Sequence, residues 1–285
     1  MKAITIKALL CAALVSAAAL LPLPAAAAQA VAFITNLKGD VAVEGAPRAA
    51  ILGELAAGQK LRVGRDGQLS VMYIQSGREF TLGGPGDYAV GEREIASAGG
   101  TQVAARETAW RTSSQVLVNV AQTSSASIRM RSFTPGKQDG KPKLDFPTQG
   151  AVATLLPTLR WTAREAAAEA EVAIAVAGKE DKPLAKAKVA GGSHRLPTRL
   201  QPDTEYAWTV TVAGQTLGPA RFRTLPAAAL QTVEKRRPSE RAEFSDRLMF
   251  ALLLQELGAV QEAQQAWGKL AQERADLPEL ANLAR

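Results

Sequence analysis

The stretch LQPDTEYAWTVTV, Leu200–Val212, decides how the middle of this chain is read. Pro202 and Asp203 preset a turn, because proline restricts its own φ and aspartate bonds to nearby backbone. Directly after it, Tyr206, Trp208, Val210 and Val212 fall on alternate positions, the period of a strand that buries one face. The turn therefore runs without a spacer into a strand.

The neighbouring residues extend the pattern. PTLRWT at Pro157–Thr162 places Trp161 in a short strand, and AEVAIAVA alternates Val172, Ile174 and Val176 against alanines. GKEDKP turns the chain, and ARFRTLP closes the unit with Phe222 and Thr224. Residues 146–225 are expected to form a second β unit. An early strand tryptophan, the L-x-P-x-T-x-Y turn and the closing F-x-T resemble a fibronectin type III domain. The resemblance implies that Tyr206 sits at the corner with its hydroxyl bonded to backbone upstream, and that Leu200 packs beside it.

Upstream, from Ala30 to about Val90, the period is again two but glycine interrupts it often. VAFITNLKGDVAVEG reads as a strand, a turn at Lys38-Gly39-Asp40 and a second strand. KLRV lies between Gly58 and Gly64, and QLSVMYI alternates Leu69, Val71 and Tyr73 against Ser70, Met72 and Ile74. REFTL and DYAV follow on either side of GGPG. Strands this short with turns this frequent predict a small barrel or sandwich. GGPGDY at Gly83–Tyr88 has no following helix and no Lys-Ser/Thr pair, so it reads as a hairpin turn and not as a phosphate loop.

The order L-x-G-x-V-x-V (Leu37–Val43), L-x-x-G-x-x-L-x-x-G (Leu55–Gly64), L-x-V-x-Y (Leu69–Tyr73) and F-x-L (Phe80–Leu82) resembles the FecR domain, a β-rich module of bacterial envelope proteins. It covers about sixty residues within an expected domain of 29–131. The cytoplasmic helices and membrane span that precede the module in sigma-factor regulators have no counterpart, so that role is not implied.

Residues 101–120 read as helix or as loop entering a strand, and ASIRMRS at 126–132 as a further strand. TPGKQDGKPK, Thr134–Lys143, lacks apolar residues other than prolines and glycines, and a linker is expected over 132–145. With Arg129 and Arg131 it is the most basic part of the chain. It reads as solvated strand edge and linker, with contact to an anionic surface as the alternative.

Beyond Pro226 glycine and β-branched residues become scarce, and residues 226–285 are helical in composition. Pro238-Ser239-Glu240 is expected to start a helix whose stripe Phe250, Leu253, Leu254 and Leu257 ends at Gly258. Ala263, Trp267 and Leu270 mark one face of a second helix. Ala251, Gly258, Ala263 and Trp267 resemble a single tetratricopeptide repeat, and such a lone hairpin must cover its apolar face on its own chain or on a partner.

The first residues carry a different message. Lys2 and Lys7 precede the apolar run Ala8–Leu21, and LPLPAAAAQA follows, the pattern of a secretory signal peptide over 1–28 with cleavage after Ala28 or Ala30. The run is shorter than the ~20 residues a membrane span requires. The lone cysteine, Cys11, lies inside it, so an exported chain would carry no disulfide or thiolate. Loss of Lys2 and Lys7 lowers the formal charge from +7 to +5, suited to anionic envelope polymers or headgroups better than to nucleic acid.

His194, the single histidine, lies in the loop GGSHR, and no spacing supplies the partner a general base requires. It reads as a surface residue. No catalytic, cofactor-binding or metal-ligating residues are assigned. The fold expected is mainly β: a FecR-like small β barrel or sandwich, a fibronectin type III-like sandwich and a short C-terminal helical hairpin. The function expected is a non-enzymatic periplasmic protein that binds or scaffolds an envelope protein or cell-wall polymer. The alternatives are a structural spacer positioning its helical end and a cell-wall hydrolase using carboxylates.

Overall fold

The computed structural model describes residues 29–108, 110, 141–164 and 168–284, and the expected leader and the strand at 126–132 lie outside them. The chain is mainly β with a short C-terminal helical region.

The first module contains β1 (Ala30–Lys38), β2 (Val41–Val43), β3 (Glu54–Ala56), β4 (Lys60–Val63), β5 (Gln68–Tyr73), β6 (Glu79–Gly83), β7 (Gly86–Val90), β8 (Ile95–Ser97) and β9 (Ala105–Arg106). They form two antiparallel sheets, ordered β3-β1-β5-β6-β9 and β2-β4-β7-β8. Ile34, Val71, Phe80 and Leu82 of the first share a core with Leu61, Val63, Val90 and Ile95 of the second. The turn at Gly83–Gly86 corrects one expectation. It makes no hairpin, because β6 pairs with β5 while β7 pairs with β4, so the chain changes sheets there. Gly84 lies so close to the Gly64 carbonyl that a Cβ would clash, which fits a tight crossing between layers.

The strand β5 departs from its expected one-sided burial. Residues 69–73 are all buried, as are Ala32 to Thr35 of β1. A central strand with two buried faces needs a layer on each side, and here the second layer is helical.

The second module contains β10 (Lys143–Phe146), β11 (Ala151–Val152), β12 (Thr158–Thr162), β13 (Glu169–Val176), β14 (Ala185–Ala190), β15 (Ser193–Arg195), β16 (Glu205–Val212) and β17 (Gln215–Thr224). Their sheets run β10-β12-β15 and β11-β17-β16-β13-β14, with β11 parallel to β17. β10 begins at Lys143, inside the stretch expected to be linker. At the corner, Tyr206 is buried, stacks on Phe222 with centroids 5.8 Å apart, and accepts the Gln201 N–H at 2.8 Å. Trp161 and Trp208 are buried in the same core, and the Trp208 indole donates to the Pro147 carbonyl at 2.6 Å.

Four helices follow: α1 (Ala227–Arg236), α2 (Phe244–Glu256), α3 (Val260–Glu273) and α4 (Pro278–Leu283). The expected start at Pro238 is corrected to Phe244. Residues 238–242 form a turn, with the Ala242 N–H on the Ser239 carbonyl, and helix begins where the buried side chains begin. α2 ends in a Schellman motif: Ala259 N–H bonds Leu254 O at 2.9 Å, and Gly258 takes φ +76°, which favours glycine. α2 and α3 pack as an antiparallel pair, with Trp267 buried and its indole donating to Gln255 Oε1 at 3.0 Å.

Candidate functional site

The helical layer docks on the first module. Strand register explains how. Phe33 pairs with Met72, Met72 with Glu79, and Glu79 with Arg106, so these four side chains form one row across β1, β5, β6 and β9 on one face of the sheet. Phe33 and Met72 join the same core as Leu248, Met249 and Leu253 of α2. The polar half of the row meets the start of α2. Glu79 is buried and accepts the Thr35 hydroxyl at 2.6 Å, the Arg106 Nε at 3.0 Å and the Ser245 hydroxyl at 3.0 Å. Arg106 also donates to Asp246 at 2.9 Å. Burial acts to lower the Arg106 pKa, but the hydrogen bonds to Asp246 and Glu79 outweigh it and raise the pKa above the usual guanidinium value.

Farther along the layer, Arg274 donates to Asn36 Oδ1 and to the Leu37 carbonyl, and Arg48 pairs with Glu279 at 3.1 Å. The Arg236 guanidinium lies 5.2 Å from the centroid of buried Trp110.

The same layer also holds the second module. The Gly258 carbonyl accepts the Ala151 N–H at 2.9 Å, and a Cβ on Gly150 would come within 2.9 Å of that carbonyl. Gln261 accepts the Thr148 N–H at 2.7 Å and donates to the Asp145 carbonyl at 3.0 Å. Glu262 accepts the Ala153 N–H at 2.7 Å. Burial raises the Glu262 pKa, offset in part by that N–H and by the charge of Arg237. The helices therefore bridge both β modules, through buried Glu79 at the first joint and partly buried Glu262 at the second. Among the described residues the large apolar side chains left exposed are Leu184 and Val260, so the hairpin's stripe is covered within its own chain.

The open concavity of the first module lies on the sheet β2-β4-β7-β8, away from the helices. Alternation puts Leu61 and Val63 inward and Lys60 and Arg62 outward. Register then builds two outward rows: Ala42, Arg62 and Asp87, and beside it Lys60 and Ala89. Glu44 and Ala98 complete a groove of about 640 Å³ with an alanine floor and a charged rim. Arg62 Nε donates to Asp87 at 2.9 Å, and this bond raises the Arg62 pKa. The Lys60 N–H bonds Glu44 Oε2 at 3.2 Å.

His194 stands on edge strand β15 opposite Leu159, partly buried. The carboxylates of Glu79 and Glu262 are drawn into joints between modules. None of the groove residues was singled out from sequence, although the alternation in KLRV already separates Lys60 and Arg62 from the core. Their meeting with Asp87, 25 residues away, depends on strand pairing. Among the described residues no group of three or more His, Cys, Asp or Glu side chains is arranged to hold a metal ion. The chain matches no protein-family model and no curated protein in sequence.

Proposed function

We propose that this chain is an exported, non-enzymatic envelope protein, FecR-like in its first module and fibronectin type III-like in its second, that binds another envelope component through the groove on β2-β4-β7-β8. The observation that carries this reading is the use of the helical layer within the chain. Among the described residues the stripe of α2 shares a core with Phe33 of β1 and Met72 of β5, whereas the groove is open and bordered by Glu44, Lys60, Arg62 and Asp87. A small-residue floor between paired charges suits an extended polar ligand, such as a peptide segment or a cell-wall polymer, that lies flat on a sheet. The spacer reading loses its motive, because the helical end is packed against the first module. Against the hydrolase reading, buried Glu79 and partly buried Glu262 are engaged in the joints.

Two measurements test the proposal. N-terminal sequencing of protein from the periplasmic fraction is expected to begin at Gln29 or Val31, and an intact Met1 overturns the export reading. Immobilised mature chain is expected to retain a component of native envelope extract that Ala89→Arg, which fills the groove, no longer retains. Equal retention by both proteins, with matching melting curves, overturns the groove assignment.

A further inference from the structure

A second concavity lies where the helical layer meets the second module, next to the joint through Ala153 and Glu262. It is a cleft of about 470 Å³ lined by Arg195 at the end of β15, Arg199 in the segment leading to the Tyr206 corner, and Arg237 at the C-terminal cap of α1. Leu155, Leu156 and Leu230 form its apolar wall, and Glu234 is the one carboxylate lining it.

The charges do not cancel. Glu234 lies 3.5 Å from Arg237, a long pairing, and Arg237 also covers the Phe250 ring at 5.6 Å. Arg195 and Arg199 have no acidic partner among the described residues. Two unpaired guanidinium groups, at the end of β15 and just after it, thus line one cleft with Arg237 of the α1 cap, whose charge is shared with Glu234 and Glu262.

We propose that this cleft binds a phosphoryl oxyanion. A guanidinium group presents its donors as a planar fork that matches phosphate or carboxylate bidentately. Three guanidinium forks lining one cleft offer more donors than the two oxygens of a planar carboxylate accept, whereas a tetrahedral phosphate presents more oxygens, in several directions. The assignment is independent of the groove on the first module.

The test uses the mature full-length chain at low ionic strength with two probes: inorganic phosphate by calorimetry, and vesicles of phosphatidylglycerol in phosphatidylcholine by sedimentation. Binding to inorganic phosphate alone assigns a soluble phosphate ligand, and binding to the anionic vesicles alone assigns a lipid headgroup. In either case Arg195→Ala with Arg199→Ala is expected to weaken binding at least tenfold, the loss of one charged hydrogen-bonding group or more. Glu234→Gln, which removes the opposing carboxylate, is expected to tighten binding severalfold. Arg221→Ala, on β17 and outside the cleft, serves as the charge control. No binding to either probe overturns the proposal, as does an equal loss with Arg221→Ala. Both cleft arginines are exposed, so unchanged melting curves are expected to accompany the loss.

Discussion

Removing Glu79 is the sharpest perturbation of the joint between the first module and the helices. In Glu79→Ala the hydroxyls of Thr35 and Ser245, both buried, lose their acceptor. Each unsatisfied buried group costs about 1–3 kcal/mol. Arg106 is 38 % exposed and keeps Asp246, so its charge is not stranded and adds little. The expected loss is therefore about 3 kcal/mol, or roughly 6–12 °C in melting temperature for a chain of this size. Arg106→Ala leaves the carboxylate buried without its cation. It is expected to cost a similar amount, less than the ~3–5 kcal/mol of a fully buried pair because water reaches this one. The double variant should fall short of the sum by about 1–3 kcal/mol, since both groups act in one network. Urea unfolding of the mature chain, followed by circular dichroism and tryptophan fluorescence, measures all three values. Single losses under about 0.5 kcal/mol, or strict additivity, would show that the layer does not rest on this network.

Tyr206→Phe deprives the Gln201 N–H of its acceptor and is expected to destabilise the second module by ~1 kcal/mol or more, while Trp161→Ala empties a core site at ~3–5 kcal/mol. Thermal melts that leave both variants at the wild-type temperature would refute the corner and its core. Glu262 gives a prediction in pH. Its folded pKa is raised above the unfolded value, so its contribution is fully present below the unfolded pKa and lost as pH rises through the folded one. Glu262→Gln keeps an oxygen for the Ala153 N–H without the charge, and its stability should gain on wild type from pH 4 toward pH 7. A difference that stays flat over that range would count against a buried carboxylate at this joint.

What the sequence by itself determined is local. Pro202-Asp203 followed by Tyr206, Trp208, Val210 and Val212 carries its own turn chemistry and its own period, and the corner forms at those residues. The shift to helix beyond Pro226 is equally local, because propensity and the Gly258 stop act over a few residues. The tertiary structure decided what lies opposite what. Glu79 follows the parity of a solvent-facing residue, one step from Phe80, and is buried because α2 covers that face. Ser70 and Met72 alternate with Leu69, Val71 and Tyr73, yet both are buried for the same reason. Gly83–Tyr88 has hairpin composition, yet its strands enter different sheets. The groove depends on cross-strand register, and the arginine cleft on two modules meeting at α1. Period and turn chemistry report whether a residue alternates. Which of its two faces meets solvent depends on a layer that arrives from more than a hundred residues along the chain.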